Sequence, residues 1–282
     1  MPPDEAEIRH VSDTALMVAA CRAMETARPD GLVRDPFAEE LAGARGMAIA
    51  RALGRLEMMC FGMGIRSRFL DELVAGTVDS GKVSVVLSLG CGLDTRPWRL
   101  DLPPGLRWIE VDFPGMLDYK GAIMARHAPK CRLERLAADL NDPAQRRAVL
   151  AATGGAGAMM ITEGLLQYLP AGTIEALAAE PPPSIRYWLL ELASSAMARR
   201  VRMDANPSIE KVRAPDHLRG EQMLEILDRN GWTSARHRSY ITDAWAVAGD
   251  RIRAINPTQF APEQEAPLTA DDPSGVHLFA RK

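Results

Sequence analysis

The segment Ser88 to Arg96, SLGCGLDTR, closes an apolar run with two glycines, Gly90 and Gly92, followed by Asp94. A G-x-G spacing after a strand makes a tight turn that lets a ligand approach the main chain. Twenty residues past Gly92, the run LRWIEVD ends in Asp112. An acidic side chain at that distance is placed to accept hydrogen bonds from ribose hydroxyls, so the pattern points to a nucleoside ligand. A dinucleotide would need a third glycine and a helix N-terminus free for its pyrophosphate. This turn instead reads G-C-G-L-D-T and sets the Asp94 carboxylate where that anion would lie. A carboxylate repels pyrophosphate and attracts a cation, which favours S-adenosylmethionine, a phosphate-free nucleoside bearing a sulfonium, over NAD. The structural alternative is that Asp94 or Thr95 caps a short helix begun by Pro97. Two rivals to an enzyme using this cofactor are an NAD-dependent oxidoreductase and a module that binds S-adenosylmethionine without turning it over.

Residues placed in this way need strand ends to carry them. From Val83 onward short apolar runs alternate with helical stretches, the signature of β-α-β units around a mostly parallel sheet. Strands are predicted at 82–90, 106–112, 131–140, 156–164 and 185–194, giving a doubly wound α/β sheet with its chemistry at the carboxyl ends. HLRGEQMLEILDRN predicts an amphipathic helix stopping at Gly231, and SARHRSYIT and GVHLFARK predict two further strands as the closing edge, seven in all. The intervening 243–275 stretch, rich in Pro, Asp and Gln, predicts no helical crossover.

The first 80 residues read as helices. Ser12 or Asp13 would cap a segment ended by Pro29 and Gly31, Asp35-Pro36 would start a second, about Met47 to Met58 would form a third, and a fourth would carry RSRFLDELV before a polar stop at Asp79-Ser80-Gly81. They are expected to form a lead-in or cap (1–80) to a single α/β unit (81–282).

The composition suits an ordinary globular protein: 282 residues, 47% hydrophobic and 25% charged. With 34 basic residues against 37 acidic and a formal charge of −3, nothing suggests nucleic acid or an anionic membrane as partner. A small-molecule substrate is expected. Cys21, Cys60, Cys91 and Cys131 stand apart without a C-x-x-C pair, which fits a reducing cytoplasm better than a disulfide framework or a zinc site. The five histidines are scattered singly, so no metal is expected. The N-terminal MPPDEAEIRH lacks an export pattern, and no apolar run approaches the roughly 18 residues that span a bilayer.

Several stretches carry a resemblance. VSDTALMVAACRAMETARPDGLVRDPFA, RSRFLDE, LSLGCGLDTRPWRL, EVDFPGMLDYK, AADL and ITEGLLQYL occur in the same order as in the leucine carboxyl methyltransferase family. Over residues 11 to 170 the chain resembles its bacterial branch, which includes methyltransferases of polyketides and other secondary metabolites. The resemblance implies a class I methyltransferase fold, Rossmann-like, with S-adenosyl-L-methionine as cofactor.

Residue by residue, the resemblance implies that Arg66 holds the methionyl carboxylate, with Arg68 close enough to compete, through the two-pronged grip of a guanidinium. Gly90 and its neighbours would lie against the methionyl part and Asp112 would take the ribose. Asp139-Leu140 would read adenine, and Glu163 would lie against the amino and sulfonium end. Each has a plainer alternative: Arg66 and Arg68 on a solvated helix face, Asp139 starting a turn with Asn141 and Asp142, Glu163 capping the next helix. Gln167 and Tyr168 are candidates for the acceptor pocket, though an aromatic there is more often packing. Where the phosphatase-methylating branch carries a cofactor-contacting lysine in its first helix, this chain has Met17 or Val18, which argues against the phosphatase substrate.

Methyl transfer is an in-line displacement that rewards alignment and exclusion of water. A carboxylate acceptor is already ionised at neutral pH and needs no base, whereas an alcohol or phenol usually does. No His or Lys is placed beside the pocket by the sequence, so no catalytic base is assigned and the favoured product is a methyl ester of a small-molecule acid. The cap helices and the 195–215 and 243–275 segments are expected to shape the acceptor pocket.

Overall fold

The computed structural model describes residues 8–202, 212–255 and 269–281. Seven strands form one sheet: β1 (Val85–Leu89), β2 (Arg107–Asp112), β3 (Arg132–Ala137), β4 (Ala158–Thr162), β5 (Ile185–Leu192), β6 (Trp232–Ser239) and β7 (Gly275–Arg281). Their order is β3-β2-β1-β4-β5-β7-β6. The first five are parallel, while β7 runs antiparallel to both β5 and β6. This is the doubly wound, class I methyltransferase sheet expected from the sequence, and the two closing strands pair as predicted.

Why the central strands read as unbroken apolar runs is clear from their two faces. Every residue of β1 and of β4 is buried, because helices cover both sides of a parallel sheet. Val85, Leu87 and Leu89 join one core with Trp188 and Leu190 of β5, while Val86, Met159 and Leu189 join the other. The chain reverses direction of winding between β1 and β4, so their carboxyl ends part and leave a crevice.

The helices ahead of β1 are α1 (Val11–Ala27), α2 (Ala38–Arg51) and α3 (Leu56–Asp79). Two of the sequence expectations need correction here. The cap of α1 is His10, whose ring accepts from Ser12 N, and Asp13 is the third helical residue, bonding back to the His10 amide. The expected Met47–Met58 helix does not exist as one piece: α2 ends at Arg51 and the chain turns through 52–55, where Gly54 interrupts helical propensity. The helix expected to carry RSRFLDELV is the 24-residue α3, which ends at Asp79 where the polar stop was expected. One face of α3 packs Phe69, Leu70, Leu73 and Val74 into the core that also holds Val86 and Leu189.

Between and after the strands come α4 (Arg96–Arg99), α5 (Pro114–Met124), α6 (Pro143–Ala151), α7 (Ala171–Ala179), α8 (Ser195–Arg202), α9 (Gly220–Arg229) and α10 (Thr242–Ile255). The last corrects a third expectation. Residues 242–255 are helical, with a break at Ala248 (φ −147, ψ 35), whereas the Pro, Asp and Gln that suggested an irregular segment cluster further on. Strand β3 stops at Ala137, three residues short of the expected 140, leaving Ala138 to Leu140 as the loop beyond its end. Parts of the 195–215 and 243–275 segments, namely 203–211 and 256–268, lie outside the described residues, as does the N-terminal 1–7.

Helix α10 is tied to α1 by a buried pair: both Arg251 Nη atoms bond the Glu25 carboxylate, Nη1 at 2.8 Å to Oε2. Gly64 in α3 lets this happen, since a Cβ there would lie 2.9 Å from Glu25 Oε2. No helix among the described residues is long and apolar enough to cross a membrane.

Candidate functional site

A cavity of about 1180 Å³ opens at the carboxyl ends of β1, β2, β4 and β5 and continues between α1, α3 and α10. Arg66, Gly90, Gly92, Asp94, Asp112, Asp139, Leu140 and Glu163 all line it. Arg68 does not; it points away and pairs with Glu72 one turn along α3 at 3.0 Å. Of the two arginines offered by RSRFLDE, only Arg66 faces the crevice.

The turn after β1 is built around Asp112. Its two oxygens accept from Gly92 N and Phe113 N, each at 2.8 Å, so the carboxylate at the end of β2 fixes the turn at the end of β1. Burial raises its pKa, opposed by those two amide bonds. Gly90 and Gly92 adopt φ of +60° and +44°, a left-handed backbone that side chains other than glycine resist. Asp94 bonds Arg96 N at 3.0 Å and pairs with the Arg96 guanidinium at 3.1 Å, so it does cap the α4 turn, as the plainer reading had it. Thr95 does not: its hydroxyl donates to Asp35.

At the end of β3, Asp139 accepts from Asn141 N at 2.9 Å, making the turn suggested as its plainer alternative, and Asp142 caps α6. Both occur while Asp139 and the buried Leu140 wall the cavity.

Glu163 follows β4 and caps no helix. Its Oε1 accepts from Arg66 Nε at 3.1 Å and its Oε2 from Arg96 Nη1 at 2.6 Å. Burial alone would raise its pKa, but Arg96 and Arg66 outweigh it and hold the carboxyl at about 2. Arg66 reaches on to Glu191 Oε1 at 3.5 Å, and Gly164 N donates to the same oxygen at 2.7 Å. Burial shifts Glu191 the other way, to a raised pKa, with Arg66 opposing.

Behind this lies a chain of buried pairs that no spacing in the sequence announces. Arg96 bonds Asp71 of α3 at 2.7 Å, and Asp71 also holds Arg99. Arg99 bonds Thr95, Thr95 bonds Asp35, and Asp35 pairs with Arg22 of α1 at 2.9 Å. A fully buried arginine is costly unless paired on several sides, and Arg96 is paired on three. It therefore fixes the ends of β1 and β4 to α3. The signal that could have found Glu191 is local: one acidic residue near the carboxyl end of an otherwise apolar strand.

Beyond Arg66 the cavity changes character. Its walls there are Met17 and Val18 of α1, Met58, Met59 and Met63 of α3, and Ala244, Trp245 and Ile252 of α10, with Gln167 and Tyr168 also lining it. The arrangement thus offers a carboxylate-rich half at the strand ends and a mostly apolar, methionine-lined half among the helices, and the cavity wall also takes in Arg9, His10, Arg55 and Arg213. The first suits a cation-bearing nucleoside and opposes a pyrophosphate. The second suits an uncharged molecular body.

The sequence model of the family described as leucine carboxyl methyltransferase matches residues 15–180. A Rhodococcus jostii protein named a putative S-adenosyl-L-methionine-dependent methyltransferase is 38% identical over 182 residues, which span 60% of this chain and 60% of that protein. Among solved structures, a DUF574 family protein from Streptomyces avermitilis superposes with a TM-score of 0.57 at 15% identity, covering 94% of this chain and 96% of that one. A protein from Thermobifida fusca described as a putative methyltransferase superposes at 0.54, also with 15% identity, over 100% of this chain and 98% of its own. At such identities the structures speak for the fold alone.

Proposed function

We propose, from the premise that this chain belongs to the leucine carboxyl methyltransferase family, that it is an S-adenosylmethionine-dependent O-methyltransferase forming the methyl ester of a small-molecule acid. The observation that carries this reading is the single cavity with two unlike halves, one acidic and one apolar. A module that only sensed the cofactor would have no use for the second half. At about 1180 Å³ the space also exceeds the roughly 300–1,000 Å³ that a single drug-sized ligand usually takes.

The donor set fits the cofactor. Asp112, with lone pairs left after its two amide bonds, would take the ribose hydroxyls, Asp139 and Leu140 the adenine, and Arg66 the methionyl carboxylate. When bound, S-adenosylmethionine supplies an electrophilic methyl group whose transfer to oxygen leaves the neutral thioether S-adenosylhomocysteine. Glu163 keeps Arg66 in place and remains ionised, adding to the negative potential that a sulfonium favours. The apolar walls of α1, α3 and α10 exclude water from the acceptor oxygen, and alignment of this kind is worth roughly 7–11 kcal/mol of barrier. A carboxylate acceptor reaches the site already deprotonated, so no side chain has to remove a proton. In this reading residues 1–80 supply Arg66 and much of the acceptor wall, and 81–282 supply the strand ends and α10.

The test is product analysis with methyl-labelled cofactor and a panel of small-molecule acids. Label recovered in a base-labile ester supports the proposal, and label on nitrogen or carbon overturns it. Titration calorimetry with S-adenosylhomocysteine and with NAD separates the oxidoreductase alternative.

A further inference from the structure

Helix α3 carries three glycines, and two of them have a packing reason. Gly64 admits the Glu25 carboxylate, and a Cβ on Gly76 would lie 3.1 Å from the Arg236 guanidinium. Gly62 has none: a Cβ built there meets no atom within 4 Å. A glycine inside a helix weakens it relative to any ordinary residue, so a packing-free one that faces a cavity calls for another explanation. Gly62 lines the cavity one turn before Arg66 on the same face of α3, about 6 Å along the axis at 1.5 Å per residue. Met59 and Met63 lie near it in α3, both half-buried and on the cavity wall, Met59 packing on its other side against the core of Met17, Ile49 and Leu53. Methionine is flexible and polarisable and adapts its shape to apolar ligands. Trp245 of α10, 37% exposed, stands on the same cavity.

We infer that Gly62 is a specificity-determining position: the space left by its missing side chain, in the cavity that Met59, Met63 and Trp245 also line, receives the apolar body of the acceptor, which is therefore a hydrophobic carboxylic acid. This rests on the methyltransferase reading and adds the acceptor's class to it. A small hydrophilic acid would leave the methionine-lined half unfilled and gain nothing from it. A hydrophobic acid buries its skeleton there and leaves its carboxylate at the Arg66 end.

The experiment titrates straight-chain saturated acids, butanoate to decanoate, into the full chain saturated with S-adenosylhomocysteine. Affinity is expected to rise about three- to fourfold per added methylene, the factor for burying one such group. In Gly62→Leu, decanoate is expected to bind at least tenfold more weakly, with butanoate and S-adenosylhomocysteine within twofold of the parent. Met63→Gln, which keeps the length of the side chain and adds an amide, is expected to weaken decanoate at least threefold and serves if the leucine variant does not fold. Affinity independent of chain length, or decanoate indifferent to both substitutions, overturns the inference while leaving the cofactor reading intact. Length-dependent binding of the acids by a chain that does not bind S-adenosylhomocysteine overturns the methyltransferase reading itself, and the acceptor assignment with it.

Discussion

Glu163 and Arg66 meet at 3.1 Å on the floor of the cavity, and the second oxygen of Glu163 is held by Arg96 at 2.6 Å. One carboxylate thus bridges two buried guanidinium groups that belong to different elements. Replacing it with alanine leaves both cations short of a partner, a change that typically costs about 3–5 kcal/mol. Urea unfolding of Glu163→Ala should show a loss of that size. The pair also has a pH signature. The folded carboxyl titrates at about 2 against an ordinary value of 4.5, so its stabilisation is complete above pH 4.5 and is lost as the pH falls toward 2. Unfolding midpoints of the parent should therefore drop more steeply across that window than those of Glu163→Gln; parallel curves would show that the pair contributes little.

Asp112 fixes the turn through Gly92 N and Phe113 N, and in the proposed function it also meets the ribose. Asp112→Ala is expected to weaken S-adenosylhomocysteine binding by about 1–3 kcal/mol, the usual cost of a lost hydrogen bond to a charged group. Titration calorimetry on folded variant measures it, and unchanged affinity would remove the ribose assignment.

The two arginines of RSRFLDE separate cleanly. Arg66→Lys replaces a planar fork with a point charge and should raise the dissociation constant of S-adenosylmethionine at least tenfold. Arg68→Ala removes only an exposed pair with Glu72, worth a few tenths of a kcal/mol at most, and should leave cofactor affinity and activity as they are. The reverse pattern would assign the carboxylate to Arg68.

The expected strand ends were legible because a parallel strand covered on both faces is an apolar run bounded by turn residues, and the acidic residues that close those runs stand out. Asp94, Asp112, Asp139 and Glu163 were found in this way or through the family resemblance. Arg96 was not, since nothing in DTRPWR distinguishes a fully buried arginine from a solvated one; its partners Asp71 and Glu163 lie 25 and 67 residues away. Helix α10 was hidden for a different reason. Its apolar stripe is broken by Gly249 and by the bend at Ala248, and the irregular composition that follows it dominated the window. The cap of α1 was misplaced by two or three residues because histidine seldom holds that position.

Glu25 and Arg251 are 226 residues apart in the chain and buried together. Glu25→Ala strands a cation between α1 and α10 and should destabilise the protein by about 3–5 kcal/mol. Because α10 walls the apolar half of the cavity only, the variant should lose acceptor turnover at temperatures where S-adenosylhomocysteine still binds. Joint loss of both at every temperature would mean that the two halves unfold as one.

In the proposed function strand termini grip one ligand and helix flanks shape the room for the other, so the two kinds of recognition would be written in almost separate sets of positions. Under the proposed function, variation at 58, 59, 62, 63, 245 and 252 would retune which molecule is methylated without disturbing how the methyl donor is held. A scaffold partitioned in this manner is open to diversification, in nature or in a directed-evolution library, one chamber at a time.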